Sequence, residues 1–258
     1  MTWEEINRKR LPFIRFGENL FKQMYGEIRK MYIASLQDLK APEEITQATE
    51  VFRFKEDIVV SAYERFYLKT ALAYARDQIK AHSSHLEEKD LNDDMLNDIW
   101  YKKVMDFIKT KVGNNISNVT LTTYKDIQAI ARQAVKEGIE KGWGMDKIAR
   151  AITTNQREIE SWKALRIART EVVTASNEGV KLGYQQLPGN KQKVWISTFD
   201  QRSRPDHMAM DGVRVAVNEY FNLPGGGQLE YPGDADGRPG DIINCRCGYE
   251  IIVVPETY

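Results

Sequence analysis

The chain has 258 residues, 42% of them apolar and 29% charged, which gives enough length for one large domain or two modest ones. Its 37 basic and 37 acidic side chains cancel, which argues against a surface given over wholly to nucleic acid while leaving room for a local basic patch. No run of about 18 apolar residues occurs, so no membrane span is expected.

The first residues, Met1-Thr2-Trp3-Glu4-Glu5, lack an apolar core, and no cleaved secretion signal is expected. A short basic cluster, Arg8-Lys9-Arg10 with Arg15, follows and reads as a solvated start, or as the leading edge of a DNA-binding surface. From Asn19 to Leu39 the spacing of Leu20, Met24, Ile28, Met31, Tyr32 and Leu36 predicts an amphipathic helix. Ala41-Pro42-Glu43-Glu44 reads as a restart, with proline in the first turn and acids at the positive end of the helix dipole. Between Ile58 and Ile79, Tyr63, Phe66, Tyr67, Ala71 and Tyr74 form a further helical stripe, read as core or partner surface. His82 and His85 flank a polar break and read as a solvated helix end, although an i, i+3 pair is also a metal spacing. Another helix is expected from Asp90 to Val112, with Leu91, Met95, Ile99 and Val104 near one side.

Gly113-Asn114-Asn115 is the clearest punctuation and divides a helical region, residues 1–112, from the rest, residues 113–258. In the second part Ile127, Ile130, Ala131, Ala134 and Val135 are in phase in a helix over Thr122–Lys141, which Gly142-Trp143-Gly144 stops. A short helix carries Ile148 and Ile152, and Ser161 is placed to cap a long helix reaching Tyr184. The inner stripe of that long helix, Leu165, Ala168, Val172, Ala175, Gly179 and Leu182, is rich in small residues and implies close packing. After residue 187 the period changes. Val194–Phe199, Val213–Val217 and Gly248–Val254 alternate as short strands separated by turn-rich loops. The expected fold is α+β: mostly helical over the N-terminal two thirds, with a small loop-rich sheet, residues 188–258, packed on the long helix.

The segment Val194–Cys247 holds both cysteines and, with His207, the one histidine beyond residue 85. Asp200, His207, Cys245 and Cys247 are a donor set of the kinds that zinc takes, and four would close a tetrahedral structural site. Asp206 is the alternative carboxylate. A loop-rich segment with few large apolar residues needs something besides a core to fix it, and metal binding supplies folding free energy. In an extended chain alternate residues face one side, which helps the two thiols of a C-x-C pair converge. Alternatively the cysteines are small buried hydrophobes and His207 holds a loop. A catalytic reading uses the same loop: Asp200, Arg202, Arg204 and His207 beside Glu171 would bind and cleave a phosphodiester or carry out a transfer. No P-loop, H-E-x-x-H or G-x-S-x-G signature accompanies them.

The order Asp200-x-Arg202-x-Arg204-x-x-His207, then Asp211-Gly212, a Gly/Pro-rich loop, Pro232-Gly233-Asp234 and Asn244-Cys245-Arg246-Cys247 resembles the C-terminal domain of the phage Mu F-like head morphogenesis family. Ala168-Arg169-Thr170-Glu171 followed by Asn177 is a second piece of that resemblance, which covers about residues 122–254. The resemblance implies a non-enzymatic minor head protein made in the host cytoplasm and carried in the virion. It also implies association with the portal, scaffold or major capsid protein during head assembly, and passage with the DNA on ejection.

Overall fold

The computed structural model describes residues 2–82 and 93–254. The predicted stretch 83–92, with His85 and Leu91, lies outside them. Six long or medium helices lead into a small sheet, so the fold is α+β as expected. Helix α1 runs from Trp3 to Ala34, α2 from Pro42 to Val51 and α3 from Asp57 to Ala81. Helix α1 begins 16 residues before the predicted Asn19 start because neither Pro12 nor Gly17 stops it. Pro12 removes one backbone donor, but its fixed φ is helical.

Helix α4, Asp93–Phe107, continues through one π turn, Ile108–Val112, straight into α5, Gly113–Glu140. The Gly-Asn-Asn punctuation is therefore helical, because a π turn absorbs a change of hydrogen-bond register without breaking the ladder. The buried stripe of α4 is Leu96, Trp100 and Val104; Ile99 is only half-buried. Helix α6 runs unbroken for 40 residues, Met145–Tyr184. Ser161 is thus mid-helix and caps nothing: no glycine or proline lies between Met145 and Glu178, so nothing stops the preceding turn.

Contacts divide the chain into two compact units, each made of separate stretches. One comprises residues 18–63 and 113–165. Its interior is aromatic and aliphatic: the rings of Phe21 and Tyr63 meet at 5.3 Å, Tyr32 and Phe52 at 5.1 Å, and Phe54 and Tyr124 at 4.6 Å. Ile45, Ile148 and Ile152 are buried among them, and two part-buried ion pairs, Arg29–Glu160 and Lys163–Asp126, sit at its edge.

The other unit comprises residues 1–17, 64–112 and 166–258. Here the C-terminal half of α6 is the platform. A Cβ at Gly179 would stand 2.3 Å from the Ala71 carbonyl oxygen, and one at Gly183 would stand 2.5 Å from Cβ of Gln78, so only glycine lets α3 approach this closely. The predicted small-residue stripe of α6 is buried at Ala168, Val172, Ala175 and Leu182.

A three-stranded antiparallel sheet, order β2-β1-β5, follows: β1 is Asn190–Ile196, β2 Arg214–Ala216 and β5 Gly248–Val254. Lys193 pairs with Val215 on one side and Ile251 on the other. The Gly-rich loop is the tip of a two-stranded hairpin, β3 (Phe221–Asn222) with β4 (Gln228–Leu229). The module rests on α6 as expected. The Tyr249 hydroxyl donates to the Asn177 carbonyl at 3.0 Å, and the Thr174 hydroxyl donates to the Gly233 carbonyl at 2.7 Å.

Candidate metal centre

Strand β1 delivers Trp195, Ser197 and Thr198 to the interior and is followed by a turn at Asp200–Ser203. That turn leads into a single helical turn, α7, Pro205–Ala209, with proline at its first position and His207 on its buried side. A second short helix, α8, Pro239–Ile242, precedes the Asn244–Cys247 segment that feeds β5. The two proline-started turns thus aim one histidine and two cysteines at one point.

His207, Cys245 and Cys247 are all buried, and their donor atoms lie within 4.8 Å of one another. Nδ1 of His207 stands 3.6 Å from Sγ of Cys245 and 3.7 Å from Sγ of Cys247. Two donors on one tetrahedral zinc, with Zn–S near 2.3 Å and Zn–N near 2.0 Å, stand about 3.6 Å apart. An S–H···N hydrogen bond has a similar length, but Nδ1 has one lone pair and faces two sulfurs. A cation at the centre would engage all three donors at once.

The imidazole is oriented by packing. Trp195 meets it edge-on at 5.3 Å between ring centroids. The Trp195 indole donates to Ser197 Oγ at 3.0 Å, and that hydroxyl in turn donates to the His207 carbonyl. Nε2 of His207 is buried with no hydrogen-bond partner among the described residues. A hydrogen bond from Cys245, and then one from His207, hold the Cys247 thiol down to about 4. The same shared bond, with burial, pushes Cys245 well above the usual thiol range. The shared bond thus favours the thiolate at Cys247 over Cys245, and thiolate is the form that binds metal.

Arg10, grouped above with a basic cluster at the start of the chain, is part of the surroundings of the cysteines. It is only 3% exposed, so it belongs neither to a solvated start nor to a DNA-facing edge. Its guanidinium donates to Ser176 Oγ and Asn177 Oδ1 at 2.9 Å each, and to the carbonyls of Arg246 and Cys247 at 3.0 Å each. Burial lowers its pKa, and the nearby cysteines and Tyr74 oppose that shift. A buried cation held by neutral acceptors beside two thiols favours the thiolate form. The signal was present in the sequence: Arg10 follows Ile6 by four residues and precedes Gly17 by seven, on the inward face of α1.

The other sequence candidates lie elsewhere. Asp200 is not part of the cluster. Its carboxylate accepts a two-pronged bond from Arg246, the Arg202 N–H at 2.8 Å and the Ser203 hydroxyl at 3.2 Å, and the Arg246 fork holds its pKa well below the carboxylate range. Asp206 faces the Gly-rich loop, where a Cβ on Gly225 would collide with its Oδ2. Glu171 is buried and accepts from the Tyr67 hydroxyl at 2.5 Å, while Arg169, two residues earlier, is exposed, as a helical offset of two requires. His82 ends α3 with Nδ1 3.0 Å from the Gln78 carbonyl oxygen.

The module that carries this cluster matches a known family. Residues 129–250 fit the model of the Phage Mu protein F like protein family. This stretch is a Mu F-like domain.

Three curated proteins align with the chain. One, 31% identical over 150 residues, is the NAD(+)--arginine ADP-ribosyltransferase EFV of Enterococcus faecalis. Another, 25% identical over 151 residues, is the uncharacterized protein YqbB of Bacillus subtilis. The third, 26% identical over 155 residues, is the minor head protein GP7 of Bacillus phage SPP1. Each alignment takes in 56–57% of this chain but only 30%, 44% and 50%, respectively, of the relative. The chain therefore spans half or less of the length of the curated relatives it matches. No solved structure matches it.

Proposed function

We propose that the chain is a minor head protein acting in head morphogenesis. In this reading it meets the portal, scaffold or major capsid protein while heads assemble in the host cytoplasm, stays in the virion, and leaves with the DNA on ejection. The observation that carries the reading is the family match over residues 129–250, which takes in the whole His–Cys cluster and the start of β5. The similarity to the minor head protein of phage SPP1 supports it. No helix among the described residues is long and apolar enough to cross a membrane. The test is to co-express the chain with the portal, scaffold and major capsid proteins of its own phage and to purify the particles. The expected result is incorporation at low copy number; particles that form normally and exclude a folded chain overturn the reading.

Within that role the cluster acts as a structural zinc site. His207, Cys245 and Cys247 are three ligands, and a water molecule or the Ser197 hydroxyl, 3.9 Å from Sγ of Cys247, takes the fourth position. The module has an apolar core of its own in Trp195, Met210, Phe221 and Leu229, and the metal fastens the His207 turn and the Cys245–Cys247 segment beside it.

An enzymatic reading draws on the name of the Enterococcus relative, which this chain matches over 30% of that protein's length. The residues such a site would use are engaged otherwise: Asp200 by Arg246, Glu171 by Tyr67, and His207 by the thiols. Incubation with NAD+ and an arginine-rich acceptor is expected to give no ADP-ribosylated product, and turnover in that assay would reinstate the alternative.

A further inference from the structure

Beside the metal cluster, and wholly within the unit that contains it, lies a cleft of about 660 Å³. Five arginines line it, Arg10, Arg169, Arg202, Arg204 and Arg246, and neither a lysine nor an acid joins them. They come from four separate parts of the chain: α1, α6, the turn after β1, and the Cys-flanked segment. Three of these parts are the arginine-bearing motifs singled out in the sequence, and folding brings them onto one wall.

The arginines differ in how far they are already used. Arg10 is saturated by four neutral acceptors, and Arg246 is forked onto Asp200. Arg204 spends one nitrogen on the Ile243 carbonyl, at 2.7 Å. The side chains of Arg169 and Arg202 are exposed and have no ion-pair partner among the described residues. The rim is held by Asn244, which adopts a positive φ of 55° and donates its backbone N–H to Thr170 Oγ1 at 3.2 Å. Because Asn244 and Arg246 flank Cys245, anything that fixes the cysteines also fixes this rim.

We propose that this cleft is a phosphate-binding site, in which Arg169, Arg202 and Arg204 take the oxygens of a phosphate group. Guanidinium forks suit both carboxylate and phosphate. The choice between them follows from the number of acceptors. A single carboxylate is filled by one fork, as Asp200 and Arg246 themselves illustrate. Three guanidiniums with donors to spare, brought to one cleft by α6 and the turn after β1, match the several oxygens of a phosphate. The remaining walls include Leu11, Ile14, Val172 and Ile243, which are aliphatic, and no aromatic side chain lines the cleft. A nucleobase has nothing to stack on there, so recognition goes through phosphate and is indifferent to sequence. The phosphate is supplied either by a nucleic-acid backbone or by a free phosphate compound. The proposal does not depend on the assembly reading, since a failure to enter particles leaves phosphate binding measurable.

The test uses the full chain, purified in the presence of zinc. A short labelled DNA duplex, the same sequence as a single strand, pyrophosphate and a poly-glutamate peptide are titrated at several salt concentrations. Arg169→Glu/Arg202→Glu alters two exposed, unpaired side chains, and unchanged metal content and melting establish that it folds. Lys30→Glu/Lys136→Glu makes the same change in net charge at exposed lysines of the other unit. The arginine variant is expected to bind the phosphate probes at least about tenfold more weakly and to lower the salt slope by about two, while the lysine variant stays within about twofold of the parent. DNA binding that pyrophosphate displaces at matching concentration identifies a free phosphate source. DNA binding that pyrophosphate leaves intact identifies the backbone. Both outcomes uphold the site. Equal weakening in the two variants, no binding of any phosphate probe, or binding of poly-glutamate alone overturns it.

Discussion

The two units differ in how far their order depends on single polar groups added to an apolar core. In the unit of residues 18–63 and 113–165 the order comes mainly from area: Phe21, Ile28, Tyr32, Ile45 and Tyr63 are at most 1% exposed. In the loop-rich part of the other unit, residues 190–254, Trp195, Phe221 and Leu229 are fully buried, and named polar atoms add to them. His207 faces two thiols, Arg10 ties the Cys247 carbonyl to α6, and Asn177 and Thr174 hold the Pro232–Gly233 turn. Apolar burial is additive and tolerant, whereas a convergent polar site fails when one member is lost. The two halves should therefore respond to different kinds of damage.

The largest separation is expected from Cys245→Ser/Cys247→Ser. Structural zinc contributes on the order of 10 kcal/mol in small metal-held modules. The variant should lose about one zinc per chain by mass spectrometry, and hydrogen-exchange protection should collapse over residues 190–254 while residues 18–63 and 113–165 keep theirs. Full protection without metal in the parent protein would show that the sheet stands on its own contacts and would remove the contrast.

The reciprocal damage is Phe21→Ala. It deletes a fully buried ring that meets Tyr63 edge-on, at a cost of about 3–5 kcal/mol. Urea unfolding should record that loss with zinc content unchanged, and metal released at the same midpoint would mean that the two units unfold as one. Arg10→Met is intermediate. It keeps the bulk of the side chain but strands two side-chain acceptors and two carbonyls, a cost of about 3 kcal/mol. It should also weaken zinc retention in a chelator titration, because the thiolates lose their buried cation.

What the sequence could show follows the same contrast. Periodicity found most of the apolar stripes: Leu20, Met24, Ile28, Tyr32, Leu36 and the Tyr63–Tyr74 set are buried where the spacing put them, whereas Met31, placed on the same stripe, is exposed. Strand β5 was legible to the residue because alternation and Pro255 bound it. Helix ends were not: Ser161 and Gly113 have the chemistry of a cap and a break, yet neighbouring helix formers and a π turn carried the backbone through. Nor were the units themselves legible. Three of the four crossings between them fall inside helices α1, α3 and α6, where the helix runs on unbroken, even past Gly17; the fourth, Val112 to Gly113, coincides with the Gly-Asn-Asn signal. At the site, donor type selected His207, Cys245 and Cys247, and proximity in sequence added Asp200. The fold then gave Asp200 to Arg246, a preference that depends on a side chain 46 residues away.

That last point is also the smallest expected effect. Asp200→Asn should leave zinc at the parental stoichiometry and move the melting temperature only slightly, because the pair with Arg246 is about a third exposed and screened by solvent. Its pH dependence carries a definite sign. The Arg246 fork depresses the folded pKa of Asp200, so whatever the pair contributes is present at neutral pH. It disappears as pH falls from the ordinary aspartate value, about 3.9, down through the folded value. The difference in melting temperature between parent and variant should shrink steadily on acidification. Acid also protonates the metal ligands, but these are common to both proteins, so comparison at each pH cancels that effect. If Asp200→Asn instead releases zinc at neutral pH, Asp200 swings away from Arg246 when metal binds. The centre then has the four protein ligands that the sequence suggested.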